Sequence, residues 1–283
     1  MKTHQVLKMH NLRAGHCSFQ AYSPPAQYYS SVSTLSSANS TCYSEEIPFS
    51  GFLVVRNVFP SSTVNLLRDL YFSMFNDEYS FTNGQWNHVI DSCLSHGVGN
   101  HPARNFVRST QFIEFINSPR LRFAASRLLD ASNVYLCPRA IVRSFSHYSK
   151  RFTHAHRDCD YFVSSKPSKA ITAWVPLGPA DLDHGQLIYL KDSHLLHEDV
   201  NKLVKKDRTI SSDLGALADS LQTSWYLPDV TVGDVVFHCM NNIHASFSTS
   251  NKVPRLSCDL RFAASLEYSD PRWNSTWAGD DGL

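Results

Sequence analysis

VGDVVFHCMNNIHASFSTSNKVPRLSCDLRF, residues 232–262, reads as two strands on either side of a histidine, His244. Gly233-Asp234 marks a turn, and the β-branched and aromatic run from Asp234 to Cys239 follows it. Further on, Arg255, Ser257, Asp259 and Arg261 alternate with Leu256, Cys258, Leu260 and Phe262. Successive side chains of a strand point to opposite faces, so the apolar set packs on one side while Arg255 and Ser257 look to the other.

Working outward, the same texture recurs in NVYLC (133–137), AIVRSF (140–145), AITAWVPL (170–177) and QLIYL (186–190). Several short strands with turn signals such as Gly185 between them predict a mainly β fold, a barrel or jelly roll. The stretch between 195 and 222 reads as helix and loop. Upstream, GFLVVRNVF (51–59) is a strand, and Ser61 or Ser62 is placed to cap a helix through VNLLRDLYFSMF. Residues 77–110 are rich in Asn, Gly and His and read as a long loop region. Ser118-Pro119 opens a second helix that runs to about Leu129. Both helices are expected on the outside of the barrel. The tail DPRWNSTWAGDDGL either caps the barrel, closes over a pocket or ends in solvent.

With 283 residues the chain is long enough for one large domain, and a single domain over 45–283 is the simplest division. Residues 1–44 hold no Asp or Glu, but carry Lys2, Lys8, Arg13 and many serines. That composition suits an organellar transit peptide, a flexible extension or an added edge segment. A cytoplasmic location is expected, with an organelle as the alternative. The net charge of +1 gives no case for nucleic acid or an anionic membrane surface, and no apolar run approaches a spanning helix. Seven scattered cysteines without a C-x-x-C are expected as free thiols. The expected partner is a small-molecule substrate.

THAHRDCDYF (153–162) poses the chemical question. In an extended strand His154, His156, Asp158 and Asp160 share one face. An H-x-H-x-D reading over His154, His156 and Asp158 describes a hydrolytic zinc site, although Cys159 stands where that pattern wants a further histidine. An H-x-D reading over His156 and Asp158 needs one distant histidine, and two imidazoles with one carboxylate on one face of iron(II) leave three positions open. Those positions must hold dioxygen and a co-substrate. A co-substrate with a free carboxylate is best gripped by an arginine fork. The quoted C-terminal stretch supplies His244 and, eleven residues later, Arg255.

Here the chain resembles the phytanoyl-CoA dioxygenase (PhyH) family of iron(II)/2-oxoglutarate oxygenases, over roughly residues 50–262. GFLVVRNVF resembles the opening strand and THAHRDCDY the H-x-D segment. AITAWVPLGPADLDHGQLIYLKDSH resembles the stretch with a Trp, a "PL", a Gly and a closing "SH"; VGDVVFHCMNNIHASFSTSNKVPR resembles the Gly-Asp strand, distal histidine and arginine. The resemblance implies a double-stranded β-helix (a cupin-like jelly roll) with flanking helices. It implies His156, Asp158 and His244 as iron ligands and Arg255 as the partner of the distal carboxylate of 2-oxoglutarate. Ser246 and Trp174 match positions that line the co-substrate in some members, and Ser257, on the strand face of Arg255, is expected to bind it as well. Asp192 stands where a Gly usually precedes the "SH", and Arg157 where Gln is common between the ligands. His154 is expected beside the site, Asp160 in a turn, and His238 and Cys239 in the core.

The implied reaction couples decarboxylation of 2-oxoglutarate to succinate and carbon dioxide with oxidation of an unactivated C–H bond by dioxygen. Asp158 at the carboxylate position implies hydroxylation, desaturation or ring closure rather than halogenation. A small molecule of specialised metabolism is the first expectation for the substrate. A phytanoyl-type acyl-CoA 2-hydroxylase is the second, with Lys202, Lys205, Lys206 and Arg208 as the nearest basic segment for CoA phosphates. A non-catalytic binding protein that kept the barrel is a third.

Overall fold

The computed structural model describes residues 7–33, 51–75, 77–89, 103–147, 152–162, 169–196, 200–249 and 251–276. Its first two strands, β1 (Met9–Ala14) and β2 (Cys17–Tyr22), form an antiparallel hairpin. Leu12, Ala14, Phe19 and Ala21 are buried on one face while their neighbours reach solvent, the alternation expected of a half-covered sheet. β3 (Tyr29–Ser31) then runs parallel to β4 (Phe52–Arg56). Three strands thus lie ahead of the boundary expected at residue 45, and two of them pair with strands beyond it. Residues 34–50 lie outside the described residues.

α1 (Ser61–Ser73) begins as expected, but not with a serine cap. Pro60 occupies the cap position, and the Ser61 hydroxyl donates to the Val232 carbonyl instead (3.2 Å). The region read as loop over 77–110 contains a two-stranded hairpin, β5 (Tyr79–Thr82) and β6 (Gln85–His88). It turns at Asn83-Gly84, both at positive φ, the turn chemistry of a two-residue hairpin. The short helices α2 (Ala103–Phe106) and α3 (Thr110–Ile116) follow, the latter capped by Ser109, whose Oγ accepts from the Phe112 amide (3.3 Å). α4 (Pro119–Leu128) starts on its proline as predicted.

The remaining strands are β7 (Tyr135–Leu136), β8 (Ile141–Phe145), β9 (Ala170–Pro176) and β10 (Leu187–Leu190), then β11 (Trp225–Tyr226), β12 (Val235–Cys239), β13 (His244–Ser246) and β14 (Arg255–Ala263). α5 (Leu214–Ser220) lies between β10 and β11. They form a larger sheet in the order β3-β4-β12-β9-β14-β7, with β8 also on β14, and a smaller one in the order β1-β2-β11-β10-β13. The inner faces meet. Phe52, Val54, Trp174 and Val236 from the larger sheet pack with Leu187, Tyr189 and Tyr226 from the smaller, and Phe52 stacks on Tyr189 with ring centroids 4.4 Å apart. This is the expected jelly roll, mainly β.

The outer faces are covered by helices. α1 buries Val64, Leu67, Tyr71 and Phe72; α4 buries Leu121, Ala124, Ala125 and Leu128, a stripe at helical spacing. Both stripes join Leu256, Cys258, Leu260 and Phe262 of β14 in the largest apolar cluster. α5 lies with Phe19 and Trp225 over the smaller sheet. Trp273 of the C-terminal tail is buried in the largest cluster and stacks on Phe162, so the tail caps the barrel as far as it is described. Among the described residues, no helix is long and apolar enough to cross a membrane. Among the described residues, Cys17, Cys137, Cys159, Cys239 and Cys258 are in no disulfide; Cys42 and Cys93 lie outside the described residues.

Candidate metal centre

A strand pairing brings the two distant histidines together. The His156 amide donates to the His244 carbonyl and the His244 amide donates to the His156 carbonyl, both at 3.1 Å. This reciprocal pair is an antiparallel rung at the free edge of β13, and it sets the imidazole centroids 4.2 Å apart. Directly after it the chain leaves the extended path. Asp158 starts a 3-10 turn to Tyr161, which swings its carboxylate back toward the rings. Asp158 Oδ1 lies 3.8 Å from His156 Nε2 and 3.9 Å from His244 Nε2. One ligand atom from each of the three residues lies within 4.8 Å of the others, and all three residues are buried.

The other ring nitrogens fix the tautomers. His156 Nδ1 donates to the His154 carbonyl (2.8 Å) and His244 Nδ1 to the Asn242 carbonyl (3.1 Å), so the Nε2 lone pairs face the centre. Burial lowers the pKa of His156, and burial with the neighbouring His156 and His238 lowers that of His244 well below the usual histidine value. Both rings are therefore neutral and free to bind a metal. Burial pushes the Asp158 carboxyl up, but Arg261, the His238 hydrogen bond and the nearby histidines outweigh it and hold the carboxyl well below its ordinary range. Two neutral imidazoles and one carboxylate converging on a point fit iron(II).

His154 does not join them. It contributes its carbonyl while its side chain is exposed, so the H-x-H-x-D zinc arrangement is not formed. The shared face expected for residues 154 to 160 is not kept: the 3-10 turn from Asp158 carries Asp160 away, and His154, ahead of that turn, has its side chain in solvent. Asp160 takes the turn role expected of it and accepts two hydrogen bonds from the buried Arg157 (2.7 and 3.0 Å).

Three residues around Asp158 escaped the sequence reading. His238, Thr172 and Arg261 stand side by side on β12, β9 and β14, paired in register across the larger sheet. The Thr172 hydroxyl donates to Asp158 Oδ2, His238 Nε2 lies 3.4 Å from the same oxygen, and Arg261 Nη2 donates to Oδ1 (3.3 Å). His238 is expected in the core and is fully buried there, but its ring also faces Asp158 on one side and the Tyr189 hydroxyl (3.3 Å) on the other. The available signal was parity: Thr172 shares the inner face with Trp174, and Arg261 with Arg255.

The same parity places the residues expected beside the co-substrate. Arg255, Ser257, Asp259 and Arg261 face inward and line one pocket with His156, Asp158, His244, Trp174, Leu187, Thr153 and Arg143. Arg255 is buried, with Nη1 donating to the Gly185 carbonyl (2.8 Å) and its guanidinium 4.6 Å from the Phe145 ring centroid. Burial pulls its pKa down to about 9, so it stays charged at neutral pH. Among the described residues, Arg255 Nε and Ser257 Oγ have no hydrogen-bond partner, which suits a site for an anion. Gly185 is at φ 65, and a Cβ there would meet the Phe247 carbonyl at 2.4 Å, so only glycine delivers that carbonyl to Arg255. Trp174 and Ser257 line the pocket. Ser246 does not; its Oγ accepts from the Thr153 amide (2.7 Å) and pins the strand that carries His156.

The family profile described as Phytanoyl-CoA dioxygenase (PhyH) matches residues 50–257. No curated protein matches the chain. Among solved structures, the chain is similar to the epimerase SnoN in complex with Fe3+, alpha ketoglutarate and nogalamycin RO (19% identity, 79% of this chain and 83% of that one, TM-score 0.57). It is also similar to the non-heme alpha ketoglutarate dependent carbocyclase SnoK from nogalamycin biosynthesis (16%, 81% and 85%, 0.59). A third is EctD from S. alaskensis with bound Fe (16%, 90% and 84%, 0.56). At these identities the likeness to solved structures speaks for the fold.

Proposed function

Because the chain belongs to the phytanoyl-CoA dioxygenase (PhyH) family, and is a non-haem iron, 2-oxoglutarate-dependent oxygenase, we propose that it oxidises an unactivated C–H bond of a small molecule in a biosynthetic pathway. His156, Asp158 and His244 bind the iron, and Arg255 holds the distal carboxylate of 2-oxoglutarate. The observation that carries these assignments is the convergence of the three ligand atoms in the pocket that also holds the buried Arg255.

Iron(II) with 2-oxoglutarate and dioxygen supplies the oxidising power, with succinate and carbon dioxide leaving and one C–H bond of the substrate oxidised. The chain does the rest by positioning. His156 and His244 offer Nε2 because Nδ1 is committed to a carbonyl. Thr172 and His238 hold one oxygen of Asp158, which directs the other toward the histidines. The fixed fork of Arg255 sets the co-substrate's orientation through its far end. Trp174 and Leu187 make the adjoining wall apolar and exclude water.

Structural relatives named as an epimerase and a carbocyclase support a reading in which C–H oxidation need not end in hydroxylation. The acyl-CoA alternative has one observation behind it. Arg208, at the end of the exposed basic segment, lies 5.7 Å from the Tyr161 ring, which in turn packs edge-on to His156. A screen of succinate release over small organic acids, amino acids, polycyclic metabolites and acyl-CoAs tests both. Stimulation by a free small molecule, lost in Asp158→Ala, supports the proposal. Stimulation by acyl-CoA alone favours the alternative, and near-normal stimulated release in Asp158→Ala would refute the ligand assignment.

A further inference from the structure

We infer that the substrate is a monoanionic small molecule and that Arg261 receives its acid group beside the metal centre. The inference rests on the iron and 2-oxoglutarate reading above. Two independent observations carry it.

The first is unmet hydrogen bonding. Arg261 is 5% exposed and lines the pocket. Its Nη2 donates to Asp158 and its guanidinium lies 4.2 Å from the Trp273 ring centroid. Nε and Nη1 have no acceptor among the described residues. The comparably buried Arg157 instead gives its N–H groups to Asp160 and Asn201. A guanidinium fork with buried N–H groups to spare is built for a planar acceptor, and a carboxylate is the best match.

The second is charge. Among the described lining residues, three guanidiniums, Arg143, Arg255 and Arg261, face two carboxylates, Asp158 and Asp259, and each lining histidine donates from Nδ1 to a carbonyl and keeps Nε2 as a lone pair for the metal. Iron(II) and the 2-oxoglutarate dianion cancel each other. Counted over its described lining, the loaded pocket therefore keeps one positive charge among largely buried groups, where an uncompensated charge is unfavourable. A substrate with a single negative charge balances it; a neutral or cationic substrate does not.

The surplus falls to Arg261 by position. Arg143 Nε donates to Asp259 (3.3 Å). Arg255 is committed to the co-substrate, and it lies six residues from Arg261 on the same strand, about 20 Å along the backbone. The two arginines thus serve two different anions, one at the far end of the co-substrate and one beside Asp158.

The test uses the full chain, loaded anaerobically with iron(II) and saturating 2-oxoglutarate at fixed ionic strength. Cyclohexanecarboxylate and cyclohexanecarboxamide are the probes, matched in shape and different in charge. Their binding is read from the shift of the visible iron–2-oxoglutarate absorption band and, separately, from the rise in Tm. The acid should bind about tenfold or more tighter than the amide. That preference should vanish in Arg261→Gln and persist, reduced, in Arg261→Lys. Equal binding of acid and amide by the wild type, or an acid preference unchanged in Arg261→Gln, overturns the inference. If Arg261→Gln fails to load iron, the wild type and Arg261→Lys decide it by the same criteria. Absence of the band in the wild type is a different result, and it overturns the functional reading beneath.

Discussion

Asp158 has two oxygens with different company. Oδ1 faces the two histidines and Arg261, while Oδ2 faces Thr172 and His238. Such outer contacts commonly set metal affinity by about 10–100-fold. His238→Phe keeps the volume and removes the ring nitrogens, so its iron(II) affinity should fall by about that factor in a metal titration. An unchanged affinity would reduce His238 to a packing residue. The buried titrating groups also make the metal-free protein sensitive to acid. His156 and His244 have pKa values lowered from 6.5, so the unfolded chain takes up their protons first and stability falls as pH drops below 6.5. Asp158, depressed from 3.8, adds stability that is fully present above 3.8 and is lost as pH falls further. The Tm of metal-free protein should therefore decline in both ranges, and His244→Gln should flatten the upper one. Flat Tm between pH 7 and 5 in the wild type would contradict the burial of neutral histidines.

β14 is the element on which sequence and structure agree most closely. Its alternation was visible because every residue has the polarity its face requires, and so Arg255 and Ser257 were placed correctly. The outer residues belong to the helix-covered core. Leu260→Ala should cost about 2–5 kcal/mol in denaturant unfolding while the folded fraction still binds metal. A loss of metal binding without a loss of stability would reverse the assignment of faces. Elsewhere local rules competed. THAHRDCDYF has strand alternation, but the chain pairs for only a short stretch before Asp158 turns, and tertiary contacts rather than period decide where His154 points. The hairpin at Asn83-Gly84 carried its signal openly in the Asn-Gly pair, but its strands are short and largely polar, so no apolar pattern flagged them. Ser246 matched a family position, but the Thr153 amide engages its hydroxyl, a contact between segments that no single stretch reveals.

At the scale of the molecule, two sheets hold the His156, Asp158 and His244 centre from opposite sides. His244 and the strand bearing His156 extend the smaller sheet, while His238, Thr172 and Arg261 rise from the larger and fix Asp158 between them. The architecture was legible from its many short strands. The role of the N-terminal residues was not, because an acid-free, serine-rich composition masked the alternation in β1 and β2. Phe19 of β2 packs edge-on to Trp225 of β11 and joins the cluster over the smaller sheet. Phe19→Ala should therefore destabilise the whole domain by about 3–5 kcal/mol, read as a shifted denaturant midpoint. A midpoint equal to the wild type would make the N-terminal hairpin dispensable.

The most direct measurement of the central claim is an anaerobic titration of iron(II) and then 2-oxoglutarate into the metal-free protein, following the weak visible charge-transfer band of the chelate. The wild type should develop the band, His244→Ala should not, and Arg255→Ala should need far more 2-oxoglutarate to reach it. No band in the wild type, or an Arg255→Ala titration that overlays it, would contradict the assignment of His156, Asp158, His244 and Arg255 to one oxygenase centre.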